Sequence, residues 1–253
     1  MKKIYKIKKN KDKYTIILSD NSSLSFYSDT LIKYNLLKPK EISDIEFEKI
    51  INYNNYIECY NKAIKYITIK LRTKKEIEKK LNEYPKDIVD KVIGKLMKMG
   101  YLDESKYIQA FINDQVNLGN KGPFYITKEL EKLGLNSNMI INEVSKIDEE
   151  IWIEKVRKIV DKKLKSNKMS KRMFILKIKS YLNNLGYNKN VIDKVIDNLE
   201  INESIDVIKN DYEKIKRRLS RKFEEDKLKE KIKISLYNKG YKMENILEII
   251  KND

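Results

Sequence analysis

In the stretch GNKGPFYITKELEKLGLN, residues 119–136, Gly119, Lys121 and Gly122 stand together ahead of a helical pattern whose first turns carry Lys128. Backbone amides in such a turn, joined by ammonium groups, could cradle a phosphate. A nucleotide loop of that kind spaces its glycines five apart between a strand and a helix and follows them with Lys and Ser or Thr. Gly119 and Gly122 are three apart and follow a run, 104–117, that itself reads as a helix. The stretch is therefore expected to be a turn between helices, with Lys121 and Lys128 left to meet the phosphates of a polymer.

Other reactive side chains are scarce. The chain has no histidine, which removes the usual general base and metal ligand, and the single Cys59 rules out disulfides and cysteine-based zinc sites. Glu149 with Glu150 and Glu224 with Glu225 are carboxylate pairs, but a nuclease needs such groups to converge on a divalent cation and these lie on charged helical runs. We expect no enzyme, no cofactor and no metal site.

Positive charge is abundant instead. Lys and Arg number 55 against 38 Asp and Glu, a net +17 in 253 residues. An excess of this size attracts polyanions, nucleic acid first among them. The charge is also unevenly placed, with eleven basic residues between 155 and 180 against the single acidic Asp161. At 100° per residue Lys155, Lys158, Lys162 and Lys165 fall in one stripe, opposite Ile153, Val156, Val160 and Leu164. The next helix turns Phe174, Ile175, Ile178 and Leu182 inward and leaves Arg172 and Lys179 outside. Further on, Lys214, Arg217, Arg218 and Arg221 share a face opposite Ile208, Tyr212, Ile215, Leu219 and Phe223. These stripes are expected to be solvent-facing and to bind a polyanion or an acidic partner; a plainly solvated helix face is the alternative. The 17 tyrosines interleave with lysines and could stack unpaired bases, although Tyr187, Tyr212, Tyr241 and Trp152 sit where the pattern asks for core.

The elements that must carry these residues are mostly helices, since glycine and proline total only 7 and 3 while Lys, Glu, Ile and Leu dominate. Residues 1–45 differ: KIYKIKK, YTIILSD and LSFY read as two or three strands with a turn at DNSS, followed by a short helix in SDTLIKYNLL capped by Ser28 or Asp29. This part is expected to be a β cap over the first helices. From about residue 46 one unit recurs. Ile126, Leu130, Leu133, Gly134 and Leu135 reappear as Ile178, Leu182, Leu185, Gly186 and Tyr187, and again as Ile232, Leu236, Gly240 and Tyr241. Each glycine is expected to be a left-handed helix C-cap. A following helix carries Ile88, Val89, Val92, Ile93, Leu96 or Val191, Ile192, Val195, Ile196, Leu199, with Ile140, Ile141, Val144 and Ile246, Leu247, Ile250 as shortened copies. In the first copy KKLNEYPKDIV replaces the glycine turn and puts Pro85 in the first turn of the next helix. The expected fold is all-α, with four tandem three-helix repeats at 46–105, 106–149, 150–201 and 202–253 in an elongated curved array behind the β element of 1–45. No run of about 18 apolar residues occurs, so a soluble cytoplasmic protein, without a membrane partner, is expected.

Three stretches, LRTKKEIEKKL, VIGKLMKMGYLDESKYIQAFINDQ and NKGPFYITKELEKLGL, resemble the RecX regulatory proteins, bacterial modulators of the RecA recombinase. The matching residues are Arg72, Glu76 and Leu81, then Leu96, Gly100, Tyr101, Leu102, Asp103 and Glu104, then Lys121, Gly122, Ile126, Glu129, Leu130 and Gly134. The resemblance is strong over 60–140. At 122–125 GPFY stands where the family more often has basic residues. The resemblance implies a non-enzymatic monomer that lies along the groove of a RecA filament on single-stranded DNA and limits its growth or promotes its disassembly in recombination and DNA repair. Double-stranded DNA would be a second possible polyanion. On that reading Arg72, Lys74 and Lys75, at the arginine-led helix start, join the basic residues named above as contacts to DNA or the filament. Two other readings stay open: a helical protein that coats nucleic acid without a RecA target, and a scaffold for some acidic protein.

Overall fold

The β-prone runs at the start of the chain pair as an antiparallel sheet in the computed structural model, which describes residues 2–38, 40–201 and 205–251. Strands β1 (Lys2–Asn10), β2 (Lys13–Leu18) and β3 (Ser23–Tyr27) form a meander. Lys11, at φ 47, closes its first turn. In the DNSS turn Asn21 adopts φ 62 and the Asp20 carboxylate accepts from the Ser22 amide at 2.9 Å. Helix α1 (Ser28–Lys33) follows directly. Its N-cap is Tyr27, with no side-chain cap bond, which corrects the expectation for Ser28 or Asp29: β3 runs on to Tyr27, so both residues fall inside the helix. A two-residue strand the sequence did not suggest, β4 (Glu41–Ile42), pairs with Lys2 and Lys3 and gives the order β3-β2-β1-β4. One sheet face buries Ile4, Ile16, Leu18 and Phe26 against Leu31, Leu36 and Ile50.

Helix α2 (Asp44–Ile67), capped by the Ser43 hydroxyl, carries the sheet. Its buried Asn54 accepts from the Tyr27 amide at 3.0 Å and the Thr30 hydroxyl at 3.2 Å, and donates to the Ser25 carbonyl at 3.3 Å. The sheet is thus fastened to the first helices, as a β cap would be. Helix α3 (Lys74–Lys80) starts on a capping box in which Thr73 and Glu76 satisfy each other's amides. Helix α4 (Lys86–Lys98) has Pro85 as its N-cap, one residue earlier than expected. These helices close a core of Cys59, Ala63, Ile77, Leu81, Val92 and Leu96. Burial pushes the Cys59 thiol up to about 11, so it is an inert core group.

Three more helix triplets follow in chain order: α5 (Glu104–Asn117), α6 (Pro123–Lys132) and α7 (Ser137–Ser145); α8 (Glu149–Leu164), α9 (Lys171–Asn184) and α10 (Lys189–Ile196); α11 (Ile205–Leu219), α12 (Glu225–Asn238) and α13 (Met243–Lys251). Residues 202–204 and 252–253, which the sequence assigned to the fourth unit, lie outside the described residues. Two compact units divide the chain, one of 1–110 with 131–136 and the other of 111–130 with 137–253. In α10 Val191, Ile192, Val195 and Ile196 of the apolar pattern are buried, while its last member, Leu199, lies beyond the helix and is half-buried; Ile141 and Leu247 in the shortened copies are exposed. Trp152, Tyr187, Tyr212 and Tyr241 are core, as the pattern asked. The Tyr241 hydroxyl donates to Asp211 at 2.8 Å and that of Tyr187 to the Asn120 carbonyl at 3.1 Å.

Gly134, Gly186 and Gly240 are left-handed caps, at φ 79, 86 and 90. Within the second unit the start of α6 sits on the end of α9: the amides of Gly122 and Phe124 donate to the carbonyls of Leu185 at 2.7 Å and Gly186 at 3.0 Å. Orphan donors of one helix thereby meet orphan acceptors of another. A Cβ on Gly122 would stand 2.5 Å from the Gly186 carbonyl, and one on Gly186 would stand 2.4 Å from the Tyr125 amide nitrogen. Two other helix starts reach a distant helix end through a side chain. Also in the second unit, the Ser170 hydroxyl at the start of α9 donates to the Lys239 carbonyl at the end of α12. In the first unit Lys75 of α3 donates to the Lys132 carbonyl at 2.9 Å.

Candidate nucleic-acid interface

The joint at Gly122 decides the stretch the sequence reading began from. Amides that would hold a phosphate are already bonded to α9, and the segment is a turn between α5 and α6. Lys121 is half-buried with its ammonium 4.2 Å over the Tyr125 ring, while Lys128 is exposed.

Four of the basic residues expected to contact DNA or the filament are engaged internally. Lys155 is the clearest correction to the four-lysine stripe. Its stem curls along the protein, and its ammonium donates to the carbonyls of Val116 at 2.6 Å, Gly119 at 2.8 Å and Gln115 at 3.3 Å. A cation thus caps the negative end of α5. Burial, with Lys158 behind it, pulls this ammonium below the usual lysine range. Arg72 is 11 % exposed, reaches Glu76 at 3.1 Å and lies 3.7 Å over the Tyr66 ring. Its Nε is buried with no hydrogen-bond partner among the described residues. Lys179 pairs with Asp193 at 2.6 Å, and Lys75 is held by the Lys132 carbonyl. Lys74 is exposed 3.8 Å from Glu78, and Lys158 3.7 Å from Glu154, both one helical turn away and both weak.

The remaining cations face water. On α8 these are Lys158 and Lys162, with Lys165 at its C-cap, on the side away from buried Trp152, Val156 and Val160. Lys214, Arg217 and Arg218 on α11, with Arg221 just past it, lie away from buried Ile208, Tyr212 and Ile215. The side chains of Lys162, Lys165, Arg217, Arg218 and Arg221 have no ion-pair partner among the described residues. Arg172 joins Lys171 and Lys242 in lining an open cleft of about 640 Å3, which Ile175 and Leu176 floor and Glu244 borders. Lys162, Lys165, Arg217, Arg218 and Arg221 can attract and hold phosphates or carboxylates without first breaking an internal ion pair.

One aromatic feature escaped the sequence reading. On α2, Tyr53, Tyr56 and Tyr60 line up with Tyr34, ring centroids 5.7, 6.1 and 6.4 Å apart along the series. The i, i+3, i+7 spacing of the last three was the visible sign of a shared face. No helix among the described residues is long and apolar enough to cross a membrane.

A sequence profile described as "RecX, first three-helix domain" matches residues 59–96. The "Regulatory protein RecX" of Streptococcus agalactiae serotype V is 30% identical over 250 residues, 96% of each chain. That of Staphylococcus carnosus is 30% identical over 255 residues, 97% of this chain and 96% of the other. Among solved structures, "Crystal structure of regulatory protein RecX" superposes with a TM-score of 0.65 at 24% identity, over 78% of this chain and all of that one. "Crystal structure of RecX from Lactobacillus salivarius" gives 0.53 at 26%, over 57% of this chain and 96% of that one.

Proposed function

This chain belongs to the RecX regulatory protein family, and from that premise we propose that it binds the RecA filament on single-stranded DNA and restrains it. The supporting observation in the molecule is the segregation of unpaired cations on α8 and α11 away from their apolar faces. A filament presents two polyanionic features, the DNA backbone and acidic protein surface, and either suits such a face. The protein acts as a cytoplasmic monomer and by occupancy rather than by chemistry: it blocks growth or favours disassembly and turns over no substrate.

The test is RecA's DNA-dependent ATP hydrolysis, followed together with filament length. Protein well below the RecA concentration is expected to lower both. An unchanged rate and unchanged length across a wide range of concentration would remove this reading. Inhibition that sets in only when the protein saturates the DNA would favour the coating protein instead.

A further inference from the structure

Helix α2 places Tyr53, Tyr56 and Tyr60 on one face, and Tyr34, just after α1, extends the row. Tyr56 and Tyr60 are nearly parallel, 19° between planes, and Tyr53 and Tyr56 are tilted by 33°. All four rings are half-buried, so each keeps part of its surface in water. Two lysine ammonium groups lie over these rings. Lys33 lies 3.6 Å over Tyr53 and 5.6 Å over Tyr34, and Lys95 lies 4.1 Å over Tyr60 and 5.9 Å over Tyr56. Both lysines are exposed and have no ion-pair partner among the described residues, and an exposed cation on a ring is held more weakly than a base stacked on one.

A cleft of about 510 Å3 runs beside Tyr34, Tyr53 and Tyr56, with Lys49 and Lys91 on its wall. Its size is that of clefts that take ring-sized ligands. Asp87 pairs with Lys91 at 3.3 Å, whereas Lys33, Lys49 and Lys95 have no ion-pair partner among the described residues. Gly94 lies one helical turn from Lys91. A Cβ there would meet nothing within 4 Å, so the fold does not require this helix-interior glycine, and the bare backbone leaves the face open.

We propose that the Tyr34, Tyr53, Tyr56, Tyr60 ladder stacks unpaired bases of a single-stranded nucleic acid while Lys33, Lys49, Lys91 and Lys95 take its phosphates. Ring faces interleaved with cations are what a strand of exposed bases and charged linkages needs. An acidic peptide would use the lysines and leave the phenols idle. The site deepens the reading of the protein as a filament regulator by naming where bases are held, and it is measured without RecA.

The experiment compares binding of a dye-labelled oligothymidylate with that of an abasic strand carrying the same number of phosphates. The full chain is expected to prefer the oligothymidylate by about tenfold or more, from stacking. The double variant Tyr53→Leu/Tyr56→Leu, which keeps apolar bulk, should lose that preference and still bind the abasic strand; Tyr53→Phe/Tyr56→Phe should retain it. Equal affinity of the wild-type protein for both strands overturns the proposal, and so does a preference that survives in the leucine variant. Photocrosslinking of the wild-type chain to a 5-iodouracil strand gives a second readout that does not depend on a variant folding. Crosslinks within the peptide that holds Tyr53, Tyr56 and Tyr60 support the site, and crosslinks confined to other tyrosines overturn it. Base preference with no effect on RecA would overturn only the regulator reading.

Discussion

At the scale of single residues, a lysine's sequence position says which side of a helix its Cα lies on and nothing about where its ammonium ends. Lys155 and Lys162 share a stripe, yet Lys155 spans to three carbonyls at the end of α5 whereas Lys162 is exposed with no partner among the described residues. Lys155→Met keeps the stem and removes the donor, leaving those carbonyls short of a partner. It is expected to destabilise the fold by about 1–3 kcal/mol in a urea titration, whereas Lys162→Met stays within about 0.5 kcal/mol. Equal midpoints for the two variants would show that the Lys155 bonds contribute nothing. Arg72 carries the same lesson, since its place at the head of a family motif suggested a contact with the partner and its guanidinium in fact joins Tyr66 to Glu76. The bare sequence could not separate these roles because a long flexible stem reaches partners tens of residues away.

At the scale of elements, much was legible because helices betray their buried face by period and their ends by glycine. The left-handed caps at Gly134, Gly186 and Gly240 followed from the repeat spacing alone. What was illegible is pairing between distant elements: β4 is two residues long, and Gly122 owes its identity to a backbone about sixty residues further on. Two glycines should therefore respond in opposite ways to alanine. Gly122→Ala drives a methyl into the Gly186 carbonyl and should cost about 2–4 kcal/mol, since the obstructing atoms are backbone of another helix. Gly94→Ala meets open space inside α4 and should stabilise by about 0.5–1 kcal/mol through helix propensity. Thermal denaturation of the two variants checks both signs, and a Gly122→Ala protein that melts with the parent would mean that the α6 and α9 ends do not touch.

At the scale of the whole molecule, a net charge of +17 predicts that polyanions are attracted without saying which cations receive them. The structure divides the candidates by how much each must give up. Lys155, Arg72 and Lys179 would have to break bonds that hold the fold, so their charge serves stability first. Lys162, Lys165, Arg217, Arg218 and Arg221 would give up only hydration. Replacing Lys158, Lys162 and Lys165 together with Gln should therefore leave the circular dichroism spectrum intact while changing binding. If these lysines meet phosphates, the salt-dependence slope for single-stranded DNA should fall by roughly two, about 0.7 per contact, with affinity lost equally for all sequences. If they meet acidic residues on RecA, the DNA slope should stay as it was and inhibition of RecA's ATP hydrolysis should weaken. Unaltered behaviour in both assays would reduce the stripe on α8 to a solvated helix face and leave the arginines of α11 and the tyrosine ladder of α2 to account for binding.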